Sequence, residues 1–181
     1  MLASPHPGVR RNGCAALAAL AGAHGASPTL KAALLKDLKA PCRAVACLAD
    51  GAAAKDTPLS TNAAQALAAL ATQCGAAAVV EAGACSALAK CATTTTDSPE
   101  SAWAPDHEQG ARATVASACM DALCALAAAD AQAHVGALLE THAAEAAVDA
   151  CCAMLAPQTT LQSLVLLGML ARHGAAQRCC L

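Results

Sequence analysis

Tyrosine and phenylalanine are absent from this 181-residue chain, and Trp103 is its only aromatic residue. A core must therefore be built from Ala, Leu, Val, Cys and Met, which bury less area apiece than a ring at about 25 cal/mol per Å². Elements have to approach closely to gain enough contact. Alanine-rich helices suit this, because Ala has the best helix propensity and loses no rotamer entropy. Charge is sparse too, at 13% of residues against 57% hydrophobic, a balance that excludes disorder. No alternating strand pattern is visible, and there is no Gly-rich phosphate loop after a strand, no nucleophile elbow and no His-Glu-x-x-His run. Enzyme chemistry has no motif to carry it, so a non-enzymatic protein without a cofactor is expected.

The cysteines number twelve, yet no Cys-x-x-Cys pair occurs among them. Structural zinc sites use tightly spaced Cys or His pairs, so no metal site is expected. Cys47, Cys91 and Cys124 fall where helical periodicity asks for a small buried residue, a role that free Cys fills well. His134 and His142 lie two turns apart with no third ligand at helical spacing, and are read as solvent-facing or turn-capping. Cys179-Cys180-Leu181 fails the prenylation pattern, which needs Cys where Arg178 stands.

Net charge is only −2, without the basic footprint of a nucleic-acid binder. Its distribution is uneven: residues 1–60 carry +4 and residues 61–160 carry −8. An acidic middle repels phosphate and attracts basic segments. Arg10-Arg11 and the apolar run after them imitate a secretory signal. However, Asn12–Ala21 matches Asn62–Ala71 at seven of ten positions, and a signal peptide has no reason to copy an internal helix. Thr61–Val80 lacks charge but holds Asn62, Gln65, Thr72 and Gln73, so no membrane span is expected. A cytoplasmic location follows from this reading.

What is present is one phrase written four times: Ala16-Leu17-Ala18-Ala19-Leu20-Ala21, Ala66-Leu67-Ala68-Ala69-Leu70-Ala71, Ala122-Leu123-Cys124-Ala125-Leu126-Ala127 and Leu166-Leu167-Gly168-Met169-Leu170-Ala171. Leu17, Leu67, Leu123 and Leu167 become equivalent, spaced by 50, 56 and 44 residues. Recurrence at this period predicts stacked helical units. Between the copies, Leu34-Leu35-Lys36-Asp37, Val79-Val80-Glu81-Ala82-Gly83-Ala84 and Leu138-Leu139-Glu140-Thr141-His142-Ala143 read as short helices ending in tight turns. Gly83 suits the left-handed position that closes a helix, and His142 replaces it in the last unit. Further helices are predicted over Pro41–Ala49, Ala84–Cys91 and Ala144–Leu155.

Short, medium and long helices in that order, with the turn Val79-Val80-Glu81-Ala82-Gly83-Ala84-Cys85-Ser86-Ala87-Leu88 before the second, resemble the armadillo repeat. The resemblance implies an all-α, right-handed α-solenoid, with HEAT-like layering as the alternative. One array spans 1–181: an orphan third helix at 9–23, and repeats at about 29–74, 76–128 and 131–173. Opening on a third helix and ending at the start of a first, it reads as part of a longer array or assembly. Two long spacings predict loops, at Asp50–Leu59 and over an insertion at 93–109 that holds Thr93–Thr96, Pro99, Pro105 and Trp103.

In nuclear-import members of that family the third helix carries a Trp and, four residues on, an Asn that clamps an extended peptide. The matching pairs here are Ala15/Ala19, Gln65/Ala69, Asp121/Ala125 and Val165/Met169, so both ladder residues are missing and recognition of nuclear-localisation signals loses its motif. A polar stripe remains: Asn12, Asn62 and Gln162, with Gln65 and Asp121 beside it. These five and Trp103 are the candidate partner-binding residues. The expected function is a protein-binding scaffold acting through the groove or the inserted loop. Cysteine-based redox or metal handling, and a structural spacer within a larger solenoid, are the alternatives.

Overall fold

The computed structural model describes residues 1–23, 27–96, 106–129, 131–153 and 156–179, and among these every regular element is a helix. The order is α1 (Pro7–Gly22), α2 (Pro28–Ala32), a π-helical turn (Ala33–Asp37), α3 (Ala40–Ala53), α4 (Thr57–Leu70), a second π-helical turn (Ala71–Gly75), α5 (Ala76–Glu81), α6 (Ala84–Thr96), α7 (Asp106–Ala129), α8 (Ala131–Glu140), α9 (Ala143–Cys152) and α10 (Pro157–Cys179). Two rows result. The long helices pack in series, α1 on α4, α4 on α7 and α7 on α10, while α3, α6 and α9 form a second series. The rows are joined by α3 on α4, α6 on α7 and α9 on α10.

The repeated phrase supplies the core between rows. Leu67, Leu70, Leu123, Leu126 and Leu166 are fully buried, and so are Ala63, Ala64, Ala66 and Ala122, which let the backbones come close. Three of the second-row helices start after a residue with positive φ: Lys39 at 46°, Gly83 at 81° and His142 at 60°. The turn that the sequence marks with Gly83 and His142 thus recurs at Lys39. Only Gly83 adopts it without a Cβ to clash. Of the predicted core cysteines, Cys47 and Cys91 are buried and Cys124 is partly so. His134 is also buried, at 8% exposure, which corrects its reading as a solvent-facing or turn-capping residue; His142 sits at the turn and pairs with Glu145 at 3.3 Å.

Both predicted loops shrink. Asp50–Ala53 finishes α3 and Thr57 already begins α4, because Pro58 stands in the first turn, where its missing N–H costs nothing. Asp56 caps that turn, its carboxylate accepting from the Leu59 N–H at 3.0 Å. Gly51, inside the expected loop, is a close-approach residue: a Cβ there would lie 2.6 Å from Ser60 Oγ and 2.9 Å from Ser60 N. Thr93–Thr96 continues α6, with the hydroxyls of Thr93, Thr94 and Thr95 bonding the carbonyls four residues back. Residues 97–105 of the expected insertion, Trp103 among them, lie outside the described residues, as does Leu155. Thr57–Glu81 and Glu108–Ala129 are long and apolar enough to cross a membrane. They lie in the row of long helices, with 44% and 50% of their apolar windows buried inside the fold.

Candidate functional site

Gln65 on α4 and Asp121 on α7 project from equivalent places in the phrase, two residues before each Leu. Stacking α7 on α4 brings them to one groove of about 310 Å³, where they are joined by Thr61, Thr114, Ser117 and Gln158. The floor is small: Ala113, Ala118 and Ala156 leave the backbone of α7 and the start of α10 open to approach. One wall is polar hydroxyl and amide, contributed by three successive long helices, and the only charge is Asp121.

Gln162 holds that charge from behind. Its Nε2 donates to Asp121 Oδ1, and its Oε1 accepts from Ser117 Oγ at 2.8 Å. Gln162 itself is 7% exposed, so its amide is spent tying α10 to α7 rather than presented to a partner. Burial raises the Asp121 carboxyl above the ordinary range, and the Gln162 hydrogen bond opposes that rise. Thr159 Oγ1 reaches the Ala113 carbonyl at 3.5 Å and Cys124 Sγ reaches the Gln162 carbonyl at 3.4 Å, completing the joint.

The other candidate amides go elsewhere. Asn62 Nδ2 donates to the Arg11 carbonyl at 3.2 Å, fastening α4 to α1. Asn12 is exposed on the far side of α1, apart from the groove. The structure thus brings Gln65, Asp121 and Gln162 together and leaves Asn12 and Asn62 at the α1 end; Trp103 is outside the described residues. Thr61, Ser117 and Gln158 escaped the sequence reading, although each stands one turn before a residue it had selected: four before Gln65, Asp121 and Gln162 respectively.

A larger cavity of about 670 Å³ opens where α3, α4, α6 and α7 meet, with Lys55, Thr94, Glu108 and Arg112 on its walls. The chain between its wall residues Thr95 and Glu108 contains 97–105, outside the described residues. The groove on α4, α7 and α10 is lined wholly by described ones.

Two thiol pairs sit in the core. Cys14 on α1 and Cys47 on α3 are neighbouring thiols whose ionisation is linked, and Cys47 Sγ donates to the Leu2 carbonyl at 3.5 Å. The Cys14 thiol draws Cys47 down to about 7 against the desolvation that raises it, and the Arg10 charge assists. Cys14, which would ionise beside an existing thiolate, is pushed up. Cys91 on α6 and Cys119 on α7 repeat the arrangement, with Cys119 held well above the usual thiol range by its neighbour and its complete burial. All four are 3% exposed or less. Among the described residues no three of His, Cys, Asp and Glu converge as metal ligands. No family model, curated protein or solved structure matches this chain.

Proposed function

We propose that this chain is a right-handed α-solenoid of armadillo type, with HEAT-like layering the alternative, and that it is a cytoplasmic, non-enzymatic scaffold. Its partner is a protein, met as an extended segment lying across α4, α7 and α10. The carrying observation is the groove that Gln65, Asp121 and Gln158 share. Three successive helices offer side-chain amides, hydroxyls and one carboxylate, a set suited to the N–H and C=O groups of a backbone that runs across the row. The alanine floor favours a thin ligand, since close approach is possible only for a segment without its own secondary structure. Nucleic acid and membrane partners are disfavoured by the negative middle of the chain.

Selection from a displayed peptide library, followed by affinity measurement on a Gln65→Ala/Asp121→Ala/Gln158→Ala variant, tests this reading. Selected peptides should bind the triple variant about 10-fold or more weakly, the equivalent of one or two net hydrogen bonds. Unchanged binding would refute the groove.

A second reading, cysteine-based redox chemistry, draws on the Cys14–Cys47 and Cys91–Cys119 contacts. Titration of native thiols separates the two. The scaffold reading expects these four to react only on unfolding, whereas their ready oxidation in the native protein would favour the redox reading.

A further inference from the structure

The steps between long helices are fastened by an amide, except at one. Asn12, Asn62, Ala118 and Gln162 hold a single equivalent place, five residues before Leu17, Leu67, Leu123 and Leu167. From that place Asn62 donates to the Arg11 carbonyl of α1, and Gln162 joins Ser117 and Asp121 of α7. Between them α7 packs on α4 in the same row, but it brings Ala118, which has no polar side-chain atom to offer.

The step from α4 to α7 thus lacks its amide and keeps the groups that an amide would meet. On α4 the counterparts of Ser117 and Asp121 are Thr61 and Gln65. Thr61 is 9% exposed, and its Oγ1 has no hydrogen-bond partner among the described residues. Gln65 is exposed, with a carboxamide that both donates and accepts. Thr61, Gln65 and Ala118 all line the groove. A buried hydroxyl without a partner costs free energy until something supplies one.

The neighbouring joint shows what fits. At α7/α10 one carboxamide, entering from the next helix, spans a hydroxyl and the polar group four residues on. At α4/α7 the helix supplies only a methyl, and Ala118 is 6% exposed, so the gap admits a side chain and not a backbone. Charged side chains are sorted away from it by Asp121, the only charge in the groove, which draws a cation to α7 and repels a carboxylate. Thr in a helix divides between two rotamers, so the hydroxyl can turn to an entering group.

We propose that the segment bound in the groove carries an Asn or Gln whose carboxamide enters between α4 and α7 over Ala118 and bonds Thr61 Oγ1 and the Gln65 side chain. This preference rests on segment binding in the groove and adds the side chain that selects among segments. The partner completes from outside the joint that Gln162 completes within the chain.

Random peptides selected by display on the intact chain are the probes, each measured beside a version with its amide residue changed to Leu. The selected set should share one Asn or Gln, and its loss should weaken binding about 5- to 20-fold, equivalent to one or two net hydrogen bonds. Thr61→Val removes the hydroxyl at nearly constant shape. It should melt no lower than the wild type, because the lost hydroxyl has no partner. It should also bind the selected peptides about 3- to 10-fold more weakly, and their Leu versions as the wild type does. Ala118→Asn, which installs the residue found at Asn62, should end the preference for Asn or Gln in a fresh selection. Peptides that need Gln65, Asp121 and Gln158 but share no amide residue overturn the proposal and leave the groove reading standing. So does a Leu replacement that costs as much on Thr61→Val as on the wild type. Peptides indifferent to the triple variant, or a selection that yields none, overturn both.

Discussion

Asn62 and Gln162 occupy equivalent positions on α4 and α10, and both hydrogen-bond the preceding long helix, yet the joints they build differ. At α1/α4 the amide donates to a backbone carbonyl beside an ion pair. Asp56 accepts from Arg11 Nε at 2.9 Å on both oxygens while also capping α4. At α7/α10 the amide holds a side-chain carboxylate and a hydroxyl. At α1/α4 the carboxylate is engaged on both oxygens, by Arg11 and by the Leu59 N–H. The α7/α10 joint leaves Asp121 with its second oxygen and an open groove beside it. One stacking geometry thus yields a fastening at one place and a surface with unspent hydrogen-bonding capacity at another.

Removing the charge that fastens α1 to α4 should have the largest effect. Asp56→Ala loses both the cap and the ion pair and should cost about 2–4 kcal/mol in chemical denaturation. Gly51→Ala attacks the same end of α4 by forcing a Cβ into Ser60, and should cost about 1–3 kcal/mol. Next comes the α7/α10 joint, where Gln162→Ala should cost about 1–2 kcal/mol, slightly more than Asn62→Ala, since it gives up two partners. The comparison breaks if Asn62→Ala weakens peptide binding as much as Gln162→Ala does.

The smallest effect is a pH dependence. Burial raises the Asp56 carboxyl, but the hydrogen bonds from Arg11 and the Leu59 N–H outweigh it and set the group below the ordinary carboxylate range. A depressed folded pKa means stabilisation that is present above the unfolded value, about 3.9, and lost as pH falls through the folded one. Asp56→Asn keeps a capping oxygen and loses the charge. Its deficit from wild type, about 1 kcal/mol at neutral pH after solvent screening at the half-exposed Arg11, should close as the pH falls below 4. A gap that persists in acid would mean that the loss does not come from the charge of Asp56.

Much of the helical order was legible because the phrase Ala-Leu-Ala-Ala-Leu-Ala states both the period and the buried face, and Gly83 marks its turn. The helix ends were not. Pro58 reads as a breaker until Asp56 two residues earlier is recognised as its cap, and the threonine run reads as loop until each hydroxyl finds a carbonyl one turn back. Gln65 and Asp121 could be placed on one face from periodicity. What periodicity could not convey was that Gln162 would be consumed in holding Asp121, since that depends on how far α10 slides along α7. Nor does it distinguish Leu20 from Leu70: identical phrases acquire different exposure only through what stacks on them.

The central claim is that the groove of α4, α7 and α10 is where a protein segment binds. Amide hydrogen exchange with and without a library-selected peptide addresses it most directly. Slowed exchange should map to 58–68 on α4, 111–122 on α7 and 156–163 on α10, and leave α3, α6 and α9 unchanged. Protection confined to the second row of helices, or to the stretch between α6 and α7, would contradict it.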